Sequence, residues 1–306
     1  MISVQKVSCA AFADINPILT EIWGKGSEAK WRKLFDYTWE RDEDYCGLVL
    51  KDAESTVGFL GMIFSRRRIN QNPEKFCNLT SWFVHEDYRI KAMSMLLPLL
   101  AMKDYTITDL TPAKNVYRIQ QRIGFKDLDA KGRILLPFGG RRARPELSDT
   151  RVTHDPAEIE KKLQGEHLKI FNDHKIYRCS HFLLTDRERY CYLIYSKLKR
   201  KRLPYAHVHY VSDRDLFARA YRDIRNSIVS HCGAYFILID SRLVENLKLP
   251  FSFCLPYRAP KQYLSSTLKP GQIDNLYSEL ILLDLKTHPR FKYLIRNYRR
   301  KLFGSK

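Results

Sequence analysis

An order of elements that occurs twice constrains this fold most. In the first half, YCGLVLK (45–51), the turn DAES and TVGFLGMIF (56–64) predict a β-hairpin: apolar and β-branched runs flank a polar turn. CNLTSWFV (77–84) predicts the next strand, a helix follows from about Arg89 to Met102, and DYTITDL (104–110) is a strand with alternating β-branched residues. In the second half, KIYRCSHFLLT (175–185), a DRER turn and YCYLIYSKLK (190–199) predict another hairpin. LPYAHVHYV (203–211) then reads as a strand, RDLFARAYRDIRNSIVSHC (214–232) as a helix and AYFILID (234–240) as a strand. Strand, strand, strand, helix, strand in both halves implies an internal structural repeat, although few residues match between the halves. The expected fold class is α+β, with mixed, mostly antiparallel sheets and flanking helices.

Around that core, the first 40 or so residues hold two helical patterns. Ile18, Leu19, Ile22 and Trp23 share one face, and Trp31, Leu34, Phe35 and Trp39 recur at helical spacing. AKNVYRIQQRI (113–123) predicts a helix ended by Gly124, and FKDLDAKGRILLP (125–137) a closing hairpin. The Gly-, Pro- and charge-rich stretch 139–156 reads as a linker. The expected organisation is a first domain at 1–140, a linker at 141–160, a second domain at 161–285 and a basic tail at 286–306.

Composition narrows the classes. Hydrophobic residues are 44% of the 306, enough for real cores and too many for a disordered chain. No apolar run approaches the ~20 residues that span a bilayer, and the N-terminus is a poor signal peptide. Seven cysteines without CxxC spacing point to a reduced, cytoplasmic protein. The net charge of +19 is uneven: residues 1–150 carry +4 and residues 151–306 carry +15. The second half therefore suits an anionic partner, such as tRNA or an anionic membrane surface, or is a solvated basic face. KLKRKR (197–202) reads as a solvated hairpin tip. The tail FKYLIRNYRRKLF (291–303) has an apolar helical stripe among arginines, which docks on its own protein or lies peripherally on the inner face of a membrane. His207 and His209 share one strand face, with Cys179, His181, His231 and Cys232 as conceivable neighbours. Their spacing matches no metal pattern, and no metal is expected.

The stretch VHEDYRIKAMS (84–94) carries the chemistry. A strand that runs into a helix N-terminus offers free N–H groups and the positive end of the helix dipole, where a phosphate can sit. Small residues let the backbone approach, and Arg89 and Lys91 add positive charge. This stretch resembles the strand-turn-helix signature of the GNAT superfamily of acyl-CoA-dependent N-acyltransferases, V-x-P-E-Y-R-G-K-G-x-G. Val84, Tyr88, Arg89 and Lys91 match it, and Asp87 replaces Glu. IQQRIGF (119–125) is similar to the later motif L-Y-E-K-L-G-F, and the hairpin around Gly58 fits the family's strand order.

The resemblance covers residues ~10–138 and implies tandem GNAT-like domains, the first of them binding acetyl-CoA or another acyl-CoA. It implies that amides of about Ile90 to Ser94 hold the pyrophosphate. The cofactor-binding set is then Phe83, Val84, Arg89, Ile90, Lys91, Ala92, Met93 and Ser94. It places the pantetheine along strand 79–84 and the thioester where strands 79–84 and 105–110 splay apart. Two departures stand out. Ile90, Ala92 and Ser94 replace glycines, and the family's thiolate-protonating Tyr falls at Gln120. Tyr117, three residues earlier, is the substitute acid, and His85, beside Glu86 and Asp87, is the candidate base. The matching turn of the second half, VSDRDLFAR (211–219), sets two Asp where phosphate would go, so no second CoA site is expected there.

The resemblance thus implies an N-acetyltransferase acting on an amine, such as a small molecule or a cell-envelope sugar precursor. A Fem-type transferase that takes its aminoacyl group from tRNA keeps the same fold. So does a non-catalytic relative that binds only CoA or a partner.

Overall fold

The computed structural model describes residues 1–137 and 150–291; the stripe predicted in the basic tail falls almost wholly outside them. The chain forms two compact units, and its last segments divide between them. The first unit is Met1–Lys126 with Lys261–Gln272 and Tyr277–Leu285. The second is Asp127–Pro260 with Ile273–Leu276 and the described residues from Lys286 to Phe291.

In the first unit, β1 (Ile2–Ser8), β2 (Tyr45–Asp52), β3 (Ser55–Ile69) and β4 (Asn72–Val84) pair antiparallel in that order, and β5 (Tyr105–Asp109) joins β4 in parallel. β5 also pairs antiparallel with the end of β12 (Ser252–Leu264), in the register Gln262↔Asp109. α1 (Phe12–Trp23) and α2 (Glu28–Asp36) cover one sheet face. Leu34 of α2 lies so close to Gly61 that a Cβ there would meet its Cδ2 at 3.0 Å and Thr80 Cγ2 at 2.8 Å, which is why β3 has no side chain at that point. The other face packs Leu48, Leu60, Met62, Leu79 and Ile107 against Met95, Leu96, Leu99 and Phe125. Burial on both faces explains why β2 and β3 read as nearly continuous apolar runs.

β1 is a strand that helical periodicity in the first 40 residues does not signal. It lies at the sheet edge, where polar residues alternate freely. β3 and β4 are also longer than the apolar runs that mark them. They meet at a two-residue turn, Asn70-Gln71, with both residues at positive φ.

The helix expected from Arg89 to Met102 is wound differently. Glu86–Leu96 is 3-10 helix, and only α3 (Leu97–Ala101) is α-helical. Pro98 explains the change: it has no N–H to give the Ser94 carbonyl, so an α-helix can begin there but not run through it. The Ser94 hydroxyl bonds the Lys91 carbonyl at 2.7 Å and competes with the helical ladder. α4 (Lys114–Arg122) follows as expected, closed by Gly124 at φ +101°.

The second unit repeats the arrangement. β6 (Lys126–Leu135), β11 (Ile237–Asp240), β10 (Leu203–Val211), β9 (Arg189–Arg200), β8 (Ser180–Asp186) and β7 (Thr150–Thr153) follow one another across its sheet, and the first part of β12 lies beside β6. Again one pair, β10–β11, is parallel, while β11–β6, β10–β9, β9–β8 and β8–β7 are antiparallel. α7 (Arg214–Arg219) and α8 (Tyr221–Cys232) bury Leu216, Phe217, Ile224 and Ile228 against Leu193, Tyr195, Val208 and Ile239. α6 (Gly165–His174) precedes β8, and α5 (Pro156–Lys162), capped by Asp155, lies with β7 partly inside the stretch that reads as linker.

The expected hairpin at 125–137 is instead the single strand β6. Its Gly132 makes no turn: a Cβ there would meet Leu238 Cδ1 at 2.6 Å and Tyr257 Oη at 2.7 Å, so the glycine permits a close approach. Among the described residues no helix is long and apolar enough to cross a membrane.

Candidate functional site

β4 and β5 stay together only from Lys75↔Tyr105 to Asn78↔Thr108. Beyond that point β4 follows β3 and the two parallel strands part. A bulge accompanies the separation: Gly61 faces Thr80 and Phe59 faces Phe83, so Ser81 and Trp82 together oppose Leu60. Ser81 takes the left-handed conformation, φ +52°, and its Oγ accepts a hydrogen bond from Trp23 Nε1 at 3.0 Å.

Buried polar side chains converge where the strands part. By alternation, Tyr105, Ile107 and Asp109 of β5 face the side covered by α3 and α4, and Thr106 and Thr108 face the other. Asp109 accepts from Gln120 Nε2 of α4 at 2.8 Å and from the Thr111 amide at 3.2 Å. On the opposite face, α9 (Glu279–Leu282), capped by Ser278, brings in Glu279. Its amide donates to Asn78 Oδ1 at 2.9 Å, and Asn78 Nδ2 donates to Thr108 Oγ1 at 3.0 Å. Glu279 Oε1 accepts from the Leu110 amide at 3.2 Å and from the Thr111 hydroxyl at 3.1 Å. Thr111 thus joins the two carboxylates, its amide on one and its hydroxyl on the other.

Glu279 and Gln262 are 0% exposed and Asp109 is 7% exposed. Burial pushes the Asp109 carboxyl up to about 6, against the bonds from Gln120 and Thr111. Burial, and then the charge of Asp109, push Glu279 up to about 8. Its amide, the Thr111 hydroxyl and the charge of the buried Lys261 pull the other way. Several atoms here have no protein hydrogen-bond partner: Glu279 Oε2, Gln120 Oε1, Thr80 Oγ1 and both amide atoms of Gln262. Orphaned polar atoms at this density are rare in a protein interior and suit a place where a polar molecule enters.

The residues singled out by the sequence lie at the end of β4 and along the 3-10 winding. Phe83 and Val84 close β4, and the Tyr88 hydroxyl holds Asp52 at 2.9 Å. Arg89 is exposed and pairs with Glu86 at 2.8 Å, while Ile90, Lys91 and Met93 are exposed and Ala92 packs on the core. The amides of a 3-10 winding bond carbonyls three residues back, so this segment presents its cations more than its backbone. His85 lies 3.5 Å from Glu21, and Tyr117 accepts a bond from Gln121 at 2.7 Å. The α4 side chain that reaches a carboxylate is Gln120.

Asp109, Thr111, Glu279, Lys261 and Gln262 carry no motif. The one local signal is an acidic residue bordering an apolar run, as Glu279 is before Leu280, Ile281, Leu282 and Leu283.

The corresponding point of the second unit is closed. β10 and β11 separate after Val208↔Ile239, so Asp240 ends β11 as Asp109 ends β5. Arg242 Nη1 bonds Asp240 at 2.8 Å and Asp129 at 3.0 Å, Asn275 Nδ2 donates to Asp240 at 2.7 Å, and the Tyr257 hydroxyl donates to the other Asp240 oxygen. Here an arginine pairs with both carboxylates. At the matching turn, Asp213 accepts the Leu216 amide at 2.8 Å and holds Arg189, so a side-chain carboxylate already occupies the start of α7. Among the described residues no three His, Cys, Asp or Glu side chains converge as metal ligands. Instead, His207 packs beside His209, and His154 stacks on His231.

A mostly antiparallel sheet with one parallel pair that parts at a bulge, followed by a basic turn and short helix, is the fold of the GNAT superfamily of N-acetyltransferases. Solved structures bear this out. A GCN5-related N-acetyltransferase from Anabaena variabilis superposes with a TM-score of 0.56 at 12% identity, over 86% of this chain and 72% of that one. A probable N-acyltransferase of unknown function from Enterococcus faecalis gives 0.56 at 11% identity, over 89% and 74%. A GCN5-related N-acetyltransferase from Kribbella flavida gives 0.51 at 14% identity, over 86% and 70%. No family model matches the sequence, and no curated protein matches it significantly.

Proposed function

We propose that the first unit takes an acyl group from acyl-CoA and delivers it to an amine. The observation that carries this reading is the parting of β4 and β5 at the Ser81 bulge, with buried, unpartnered donors and acceptors around it. A pantetheine arm carries amide groups that need such partners, and a thioester needs a site shielded from bulk water. Thr80, Gln120 and Gln262 are the residues of this chain suited to hold it. Arg89 and Lys91, exposed at the end of β4, would meet the pyrophosphate as side-chain cations. The Arg89–Glu86 pair is solvated and contributes little, so an incoming diphosphate can displace Glu86. The acyl group is an acetyl or longer chain. The acceptor is an amine of a small molecule or sugar, and the excess of basic residues after position 150 suits an anionic one.

A second reading has support in two features. The winding at 86–96 ties up backbone amides, and Gln120 stands where an acid is expected. Both fit a non-catalytic relative that binds a partner, or CoA through side chains, without turnover.

Titration calorimetry with CoA and acetyl-CoA, on wild type and Arg89→Glu, tests the donor. Binding by the wild type that weakens at least roughly tenfold in the variant is expected, since reversal sets three acidic side chains together at 86, 87 and 89. A wild type that binds neither ligand overturns the proposal.

A further inference from the structure

Titratable groups gather at the apex between β4 and β5. Among the described residues, those that meet there are Asp109 from β5, Glu279 from α9 and Lys261 from β12. Asp109 has both oxygens engaged, by Thr111 and Gln120. Glu279 has one oxygen held by Leu110 and Thr111, while Oε2 has no protein partner. His85 and Tyr117 bond elsewhere.

We propose that Glu279 is the catalytic base of the acyl transfer, held by Leu110 and Thr111 with Oε2 free to reach the nucleophile. This rests on the acyl-CoA reading of the same site. The Glu279 carboxylate takes a proton from the amine nitrogen as the C–N bond forms. The C–S bond breaks with its electron pair on sulfur, and Glu279 returns the proton to the departing thiolate. One residue then serves as base and acid, which answers the absence of an acid at Gln120. The environment suits both roles. With Lys261 the cation that acts on it, and with Asp109 charged nearby, the carboxyl changes state near neutral pH, where a base must both accept and release. The same point in the second unit shows the contrast, because there Arg242 bonds Asp240 directly.

Hydrolysis of acetyl-CoA tests this without knowledge of the acceptor, because water is then the nucleophile and thiol release the readout. Calorimetry on the same samples reports donor binding. Wild-type hydrolysis is expected to rise with pH through about 8, the range to which Glu279 is displaced. Glu279→Gln is expected to bind acetyl-CoA like the wild type, to hydrolyse it roughly 10²-fold more slowly and to lose the pH-dependent rise. Asp109→Asn removes a like charge and moves the midpoint to lower pH. Thr111→Val removes only the hydroxyl bond to Glu279 and moves it higher. Because Thr111 is half-buried, this last variant keeps the test decisive should a core variant fail to fold. Wild-type rate and profile in Glu279→Gln overturn the proposal, as do unmoved midpoints in the other two, or a wild type that binds acetyl-CoA and releases no thiol. If the wild type binds no acetyl-CoA, the acyl-CoA reading itself falls, and calorimetry separates that failure from the others.

Discussion

Glu279 loses its water on folding, and the charge of Lys261 returns only part of what hydration supplied. The consequence for stability has a definite sign. The folded-state value is raised above the ordinary 4.5 to about 8, so the folded protein holds a proton that the unfolded chain gives up. The stability linked to that proton is fully present below about 4.5 and is lost as pH rises through about 8. Asp109 acts the same way between 3.8 and about 6. Glu279→Gln keeps the shape and removes the ionisation. Its stability relative to wild type is therefore expected to improve steadily from pH 5 to pH 9, by roughly 3–5 kcal/mol at most. Urea denaturation of both proteins at several pH values checks it, and a difference that does not change with pH rules it out. The sequence could not reveal this residue, because its role comes from Asn78, Leu110 and Thr111, some 170 to 200 positions away. Arg89 and Lys91 stand out in the sequence because a local motif carries them, and the structure leaves both exposed.

At the level of elements, local turn chemistry leaves room for improvement at Asn70-Gln71. Both residues have positive φ, 51° and 72°, and join Ile69 to Asn72 across a two-residue hairpin loop. Asn tolerates that conformation, whereas Gln is strained in it. Gln71→Gly is expected to stabilise the protein by about 1 kcal/mol, read as a higher thermal midpoint with unchanged acetyl-CoA binding. The same physics explains which elements could be read beforehand. β2, β3 and β5 announce themselves by apolar or β-branched runs, and α4 by its spacing and its terminal glycine. β6 did not, because Gly132 in Ala-Lys-Gly looks like a turn until Leu238 and Tyr257 press against it. The 3-10 winding likewise had one visible cause, Pro98, inside a stretch that otherwise has helical composition.

Across the whole molecule, the segment 273–285 contributes to both units in turn: Asn275 bonds Asp240 in the second, and Glu279 bonds Asn78, Leu110 and Thr111 in the first. The repeat was readable as an order of elements, but this shared closing segment was not, since nothing in the order of strands says where a chain end returns. The two units place a carboxylate at the end of equivalent strands and treat it in opposite ways. Asp240 and Asp129 are buried with Arg242, itself 4% exposed. Removing that cation leaves two uncompensated anions in the interior, so Arg242→Met is expected to cost about 3–5 kcal/mol near pH 8. Without the arginine, burial raises both carboxyls, and protonation relieves the strain. The loss should therefore shrink as pH falls towards 5, the same direction of pH dependence that Glu279 gives the wild type. Denaturant midpoints at pH 5 and pH 8 for wild type and variant decide it. A loss equal at both values would mean that Arg242 acts by packing alone. A loss confined to pH 8 would show that the second unit needs its arginine to hold in ionised form the kind of carboxylate that the first unit leaves free to titrate.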